Sequence, residues 1–127
     1  MEGSGGILCP LCHDETASFS LADFVKSQHL SCLLVADAGL GTLNHVSLTA
    51  AYLKIQNIPF QGIILNRFQT GNLLHEDNKV MCEVMSGVPV IACIPQGAAD
   101  LPISIETLLS LYTERKENPC SGIPTHK

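Results

Sequence analysis

The segment Cys32-Leu33-Leu34-Val35-Ala36 constrains this chain more than any other, because it is an unbroken apolar run of strand length with no polar residue in alternation. A strand with one wet face alternates apolar and polar side chains, so a run without alternation suits a strand covered on both faces. Cover on both faces is the condition of a parallel sheet, whose crossover helices pack on it. Two further runs of this kind follow: Gly62-Ile63-Ile64-Leu65, inside a strand over 60–66, and a strand over 88–94 with Pro89 near its entry. Between and after them the spacing predicts helices over 42–56, 76–85 and 103–112, the second stopping at Ser86-Gly87. Leu43, Val46, Ala50, Leu53 and Ile55 mark the buried side of the first of these. A shorter helix is predicted over 21–29, capped by Ser20, with Leu21, Phe24 and Val25 at helical spacing. The expectation is an α/β domain over 1–112 with a partial, three-stranded parallel sheet built from three crossover strand-helix units, then a polar tail over 113–127. Three strands of this hydrophobicity leave bare edges, so something is expected to pair with at least one of them.

Composition narrows the function classes. A chain of 127 residues that is 46% hydrophobic and 15% charged is globular and long enough for one domain. Seven Lys and Arg against twelve Asp and Glu give a net charge of -5, which supplies no basic face for nucleic acid or an anionic membrane, and neither partner is expected. The longest apolar runs are strand-sized and no leader pattern opens the chain, so a cytoplasmic protein is expected. The six cysteines are scattered, several of them inside apolar runs, which fits a reducing compartment. Cys9-Pro10-Leu11-Cys12-His13 has the spacing of covalent haem attachment, but that chemistry needs export. A zinc site would need two more ligands, and no second cysteine pair follows at ribbon spacing. A loop is the plainer expectation for this segment.

Ligands of parallel α/β sheets collect where strand C-termini feed into helix N-termini, so the loops there carry the chemistry. Gly39-Leu40-Gly41-Thr42-Leu43-Asn44 combines two glycines with a helix start and suits an anion, although a helix cap without ligand has the same pattern. The third glycine of a dinucleotide fingerprint is missing. Asn66-Arg67-Phe68 sets an amide and a cation at a strand end, where an amide either reads a base edge or forms a turn. Ile94-Pro95-Gln96-Gly97 is another strand end. Glu2-Gly3-Ser4-Gly5-Gly6 puts a carboxylate beside a glycine-rich turn, a combination that suits Mg²⁺ in phosphoryl transfer as well as a frayed terminus.

Taken in order, these segments resemble the dethiobiotin synthetases. The run EGSGGILCPL is similar to their EGAGG…PL stretch, LADFV to the helix after it, and VADAGLGTLNHVSLTAAYLKIQNIPFQGIILNRF to their strand, loop, helix and strand. SGVPVIACIP resembles their closing strand. The likeness covers residues 2–97 and corresponds to the C-terminal part of the family, with a fold of the P-loop NTPase type.

That resemblance implies an ATP-dependent ligase of biotin biosynthesis, which joins CO₂ to 7,8-diaminopelargonate and closes the cyclic urea of dethiobiotin. One amine is carbamated, ATP phosphorylates the carbamate, and the second amine displaces phosphate. It also implies roles for residues. Glu2 matches a carboxylate that helps hold Mg²⁺, and Gly3, Ser4 and Gly5 match backbone lining the ATP phosphates. Asn66 matches the amide that reads adenine; beside it Arg67 stands where the family usually has an acidic or small polar residue. Pro95, Gln96 and Gly97 match the loop beside the base, Gly97 replacing a larger apolar residue. Gly41, Thr42, Leu43 and Asn44 match the helix start that takes the substrate carboxylate across a two-fold dimer interface. The family's glycine-rich phosphate loop with its Lys and Thr has no counterpart in these 127 residues. Phosphoryl transfer is mostly positioning and charge stabilisation, so catalysis is expected to need a homodimer or a complementing N-terminal chain that brings such a loop. A non-catalytic nucleotide-binding or dimerisation module of the same fold is the alternative.

Overall fold

A computed structural model describes residues 3 and 5–111; Glu2, Ser4 and the 113–127 tail lie outside the described residues. The chain runs β1 (Pro10–His13), β2 (Ser18–Ser20), α1 (Leu21–Ser27), β3 (Cys32–Asp37), α2 (Thr42–Ile55), β4 (Phe60–Asn66), α3 (Leu73–Ser86), β5 (Val90–Ile94) and α4 (Ile105–Leu111). The apolar runs form a parallel sheet in the order β3-β4-β5, with Leu34 beside Ile63 and Ala36 beside Leu65. This is the three-stranded parallel sheet expected, with β4 in the middle.

The centre of the domain lies where α2 and α3 pack against each other and the sheet. Ala38, Val46, Ile63, Leu65, Phe68 and Cys82 are buried there, and Leu34, Ala36, Val90 and Cys93 pack against them. Gly62 keeps the opposite side of β4 thin, since a Cβ at that position would stand 3.0 Å from Ile91 Cγ2 and 3.5 Å from Leu33 Cδ1. A second cluster, Leu21, Ala22, Val25, Leu53 and Ile58, joins α1 to the C-terminal end of α2 and to the starts of β3 and β4 at Cys32 and Phe60. The amides of Leu21 and Ala22 donate to the carbonyls of Cys9 and Ile7, fixing the glycine-rich opening against α1.

Several boundaries differ from the sequence reading, each for a local reason. Pro10–His13 is a strand of an antiparallel hairpin with Ser18–Ser20 rather than a loop, and Asp14 closes its turn by accepting from the amides of Thr16 and Ala17. The short helix ends at Ser27, two residues early, because His29 takes a positive φ of 52°. Helix α3 begins at Leu73 rather than at residue 76, because the Asn72 side chain accepts from the amides of Leu74 and His75 and caps the helix there. It stops as expected at Gly87, whose φ of 76° suits the left-handed C-cap. Strand β5 starts at Val90, not 88, where the Val90 amide donates to the Glu83 carboxylate at 2.8 Å. Helix α4 is shorter than 103–112 at its start, with Ser104 receiving the Thr107 amide. Ile55, expected on the buried side of α2, is 75% exposed.

Candidate functional site

The three parallel strands end level with one another. The Ala38 amide donates to the Asn66 carbonyl at 2.9 Å, and the Phe68 amide donates to the Ile94 carbonyl at 2.9 Å, so the backbone leaving each strand is stitched to its neighbour. Asn66 lies beside Asp37 on one side and Ile94 on the other. Asn66, Arg67, Pro95, Gln96 and Gly97 therefore share one edge of the sheet with the β3–α2 loop. All five are exposed.

Asn66 accepts the Arg67 amide on its own Oδ1 at 2.9 Å, a turn-type bond that orients the carboxamide. Its amide nitrogen makes no hydrogen bond among the described residues and is available to a ligand acceptor. Arg67 holds a left-handed backbone, φ 56°, and its guanidinium forms an ion pair with Asp37 at the end of β3. Pro95, Gln96 and Gly97 make a tight turn in which the Ala98 amide donates to the Pro95 carbonyl, and Gly97 takes φ 78°.

Gly41 is the N-cap of α2 at φ 90°, a conformation that L side chains rarely adopt, and it offers no side-chain cap. The amides of Leu43 and Asn44 consequently find no acceptor among the described residues, and with the helix dipole they form a weakly positive mouth open to an anion. Thr42 turns the other way: its hydroxyl is buried beside the Cys82 thiol, with no hydrogen-bond partner among the described residues. Burial pushes that thiol above its ordinary range, the neighbouring Thr42 hydroxyl opposes the shift, and the Glu83 carboxylate adds to it. The Thr42 side chain is thus turned into the core.

Two residues that the sequence reading missed hold this loop. Asn78 of α3, buried, donates its side-chain amide to the carbonyls of Ala38 at 2.9 Å and Gly39 at 3.1 Å. Asp37 Oδ1 accepts the Gly39 amide at 2.7 Å. The Gly39 residue is therefore gripped at both its N–H and its C=O.

The glycine-rich opening is held by different contacts. Gly3 sits against Leu21, which a Cβ there would strike, and Gly5 takes φ 101° beside Cys9. Gly3 thus packs on the first residue of α1, and among the described residues no hydrogen bond joins either glycine to the strand ends. Glu2 and Ser4 lie outside the described residues. Among the described residues no group of three or more His, Cys, Asp or Glu side chains is gathered as a metal would require, and no helix is long and apolar enough to cross a membrane.

A parallel α/β sheet with its loops gathered at the strand C-termini is the architecture of nucleotide-binding domains of the P-loop NTPase type. A family model described as an AAA domain matches residues 1–99, and the chain belongs to that family. Among curated proteins it is similar to the ATP-dependent dethiobiotin synthetase of Brachyspira hyodysenteriae, 44% identical over 109 residues that make up 85% of this chain and 49% of the relative. The enzymes of the same name from Clostridium novyi and Clostridium botulinum (strain Alaska E43 / Type E3) are 42% and 38% identical over 75% and 88% of this chain, and 40% and 48% of their own lengths. The chain spans about half the length of the curated relatives it matches.

Proposed function

We propose that this chain supplies the base-reading and substrate-carboxylate ends of an ATP-dependent dethiobiotin synthetase in biotin biosynthesis. The observation that supports the reading is the stitched row of strand ends, in which Asn66, its amide nitrogen without a partner among the described residues, stands between Asp37, ahead of the loop that starts α2, and Ile94, ahead of the Pro95–Gly97 turn. Asn66 offers adenine a donor already oriented by its bond from Arg67, and the turn at Pro95, Gln96 and Gly97 lies alongside as a wall for the ring. The α2 start, through Gly41, Leu43 and Asn44, takes the carboxylate of 7,8-diaminopelargonate; Thr42 fixes the helix to the core.

Gly3, Ser4 and Gly5 are proposed to line the ATP phosphates and Glu2 to be the carboxylate this chain contributes to Mg²⁺. The metal would offset the negative charge of the phosphates. The chain contains no glycine-rich loop followed by Lys, so the phosphoryl transfer is proposed to draw on a complementing N-terminal segment or on a partner in a homodimer, in the cytoplasm.

Equilibrium binding of ATP to the chain tests the base-reading role. The natural chain is expected to bind ATP about tenfold more tightly than Asn66→Ala, the loss appropriate to one hydrogen bond in a partly desolvated site. Equal affinity of the two proteins would remove Asn66 from the site.

A further inference from the structure

Asp37 stands at the end of β3 and divides its two carboxylate oxygens between two loops. Oδ1 accepts the Gly39 amide at 2.7 Å in the loop that starts α2, while Oδ2 pairs with the guanidinium of Arg67, thirty residues away at the end of β4. Their side chains are 39% and 60% exposed. An ion pair this wet contributes little to stability, so its value lies elsewhere. Arg67 meanwhile keeps a left-handed backbone that most residues avoid, and the preceding Asn66 carboxamide accepts its amide. Arg67 is thus fixed at its backbone by Asn66 and at its tip by Asp37.

We propose that Asp37, held by Arg67, is a positioning residue that ties the loop of Asn66 to the helix start at Gly41–Asn44, so that occupation of one is felt by the other. The proposal rests on the assignment of Asn66 to the base and of the α2 start to a carboxylate. Its physical basis is a continuous chain of bonds: Asn66 Oδ1 to the Arg67 amide, the Arg67 guanidinium to Asp37, Asp37 to the Gly39 amide, and the Gly39 carbonyl to buried Asn78. Asn78 anchors the far end to α3, so displacement at Asn66 passes into the Gly39 peptide and from there into the first turn of α2. No ligand needs to touch both loops.

Hydrogen exchange followed by mass spectrometry on the full chain separates this role from simple stabilisation and tolerates self-association. Without ligand, Asp37→Ala and Arg67→Asn are expected to speed exchange in the 38–44 segment about fivefold, through loss of the ordered acceptor at Gly39. Exchange in 62–65, at the centre of the sheet, should not change. Asn accepts the left-handed backbone, so that variant removes the guanidinium without straining the main chain, and Arg67→Lys, which keeps a cation on a long stem, should restore slow exchange. Equal acceleration across both segments, or none at 38–44 in Arg67→Asn, would overturn the proposal.

With adenosine as the probe, the natural chain is expected to gain protection at both 65–69 and 38–44, and Asp37→Ala at 65–69 alone. Protection of 65–69 alone in the natural chain would overturn the coupling while leaving base reading in place. Protection nowhere, with the ligand-free changes still seen, would refute the base assignment and uphold the Asp37 link between the loops.

Discussion

Asn78 donates to the carbonyl of Ala38 from forty residues away, at 2.9 Å and in full burial, and so pins the end of β3 to α3. The same amide reaches the Gly39 carbonyl at 3.1 Å. Buried acceptors left without donors cost about 1–3 kcal/mol each, so Asn78→Ala is expected to destabilise the domain by about 2–3 kcal/mol. Asn78→Asp should be worse, since it turns a carboxylate toward two carbonyl oxygens. Urea unfolding gives the difference directly; a loss below about 0.5 kcal/mol for Asn78→Ala would mean that the loop is held by other contacts.

Helix α1 is short and depends on its cap. Ser20 and Asp23 form a reciprocal capping box, and the Ser20 hydroxyl and backbone amide hold the Asp23 carboxyl below its ordinary value of 3.8. A carboxyl depressed in the folded state contributes stability that is present above its unfolded pKa and is lost as pH falls through the folded one. The α1 signal should therefore weaken only below about pH 4, and Asp23→Asn should remove that acid limb. Circular dichroism across pH 2 to 6 checks it, an identical acid limb in the two proteins being the contrary result. Ser20→Ala should cost about 1 kcal/mol at neutral pH.

The sheet was legible because three apolar runs without alternation have few other uses, and Phe60–Asn66 falls at its expected bounds. Asn66 and Gly41 were legible as site candidates for the same reason, each standing where an apolar run or helix pattern breaks. The hairpin escaped notice because Cys, Pro and His alternate with nothing, all four residues of β1 being exposed. Asn72 carried the signal for the true start of α3, a capping side chain before Leu73-Leu74. Nothing local marks Asp37, Arg67 or Asn78 as partners, because their bonds span thirty and forty residues and exist only once the sheet has formed.

The surface carries a large apolar burden. Val35 on edge strand β3 is 60% exposed, and Leu48, Ile55, Val80 and Val84 on α2 and α3 are exposed as well. Covering several such side chains is worth on the order of 5 kcal/mol at about 25 cal/mol per Å², comparable with the whole stability of a small domain. The purified chain is expected to be an oligomer or partly folded. Light scattering with thermal unfolding checks this, and a monodisperse monomer melting sharply above about 50 °C would contradict it.

The central claim is that these strand ends complete a dethiobiotin synthetase. The direct measurement is dethiobiotin formation from 7,8-diaminopelargonate, bicarbonate, Mg²⁺ and ATP, with this chain mixed with the N-terminal portion of the Brachyspira hyodysenteriae enzyme it resembles. Product is expected from the copurifying pair and from neither part alone, with Asn66→Ala raising the KM for ATP about tenfold. A pair that copurifies and yet forms no dethiobiotin would contradict the claim.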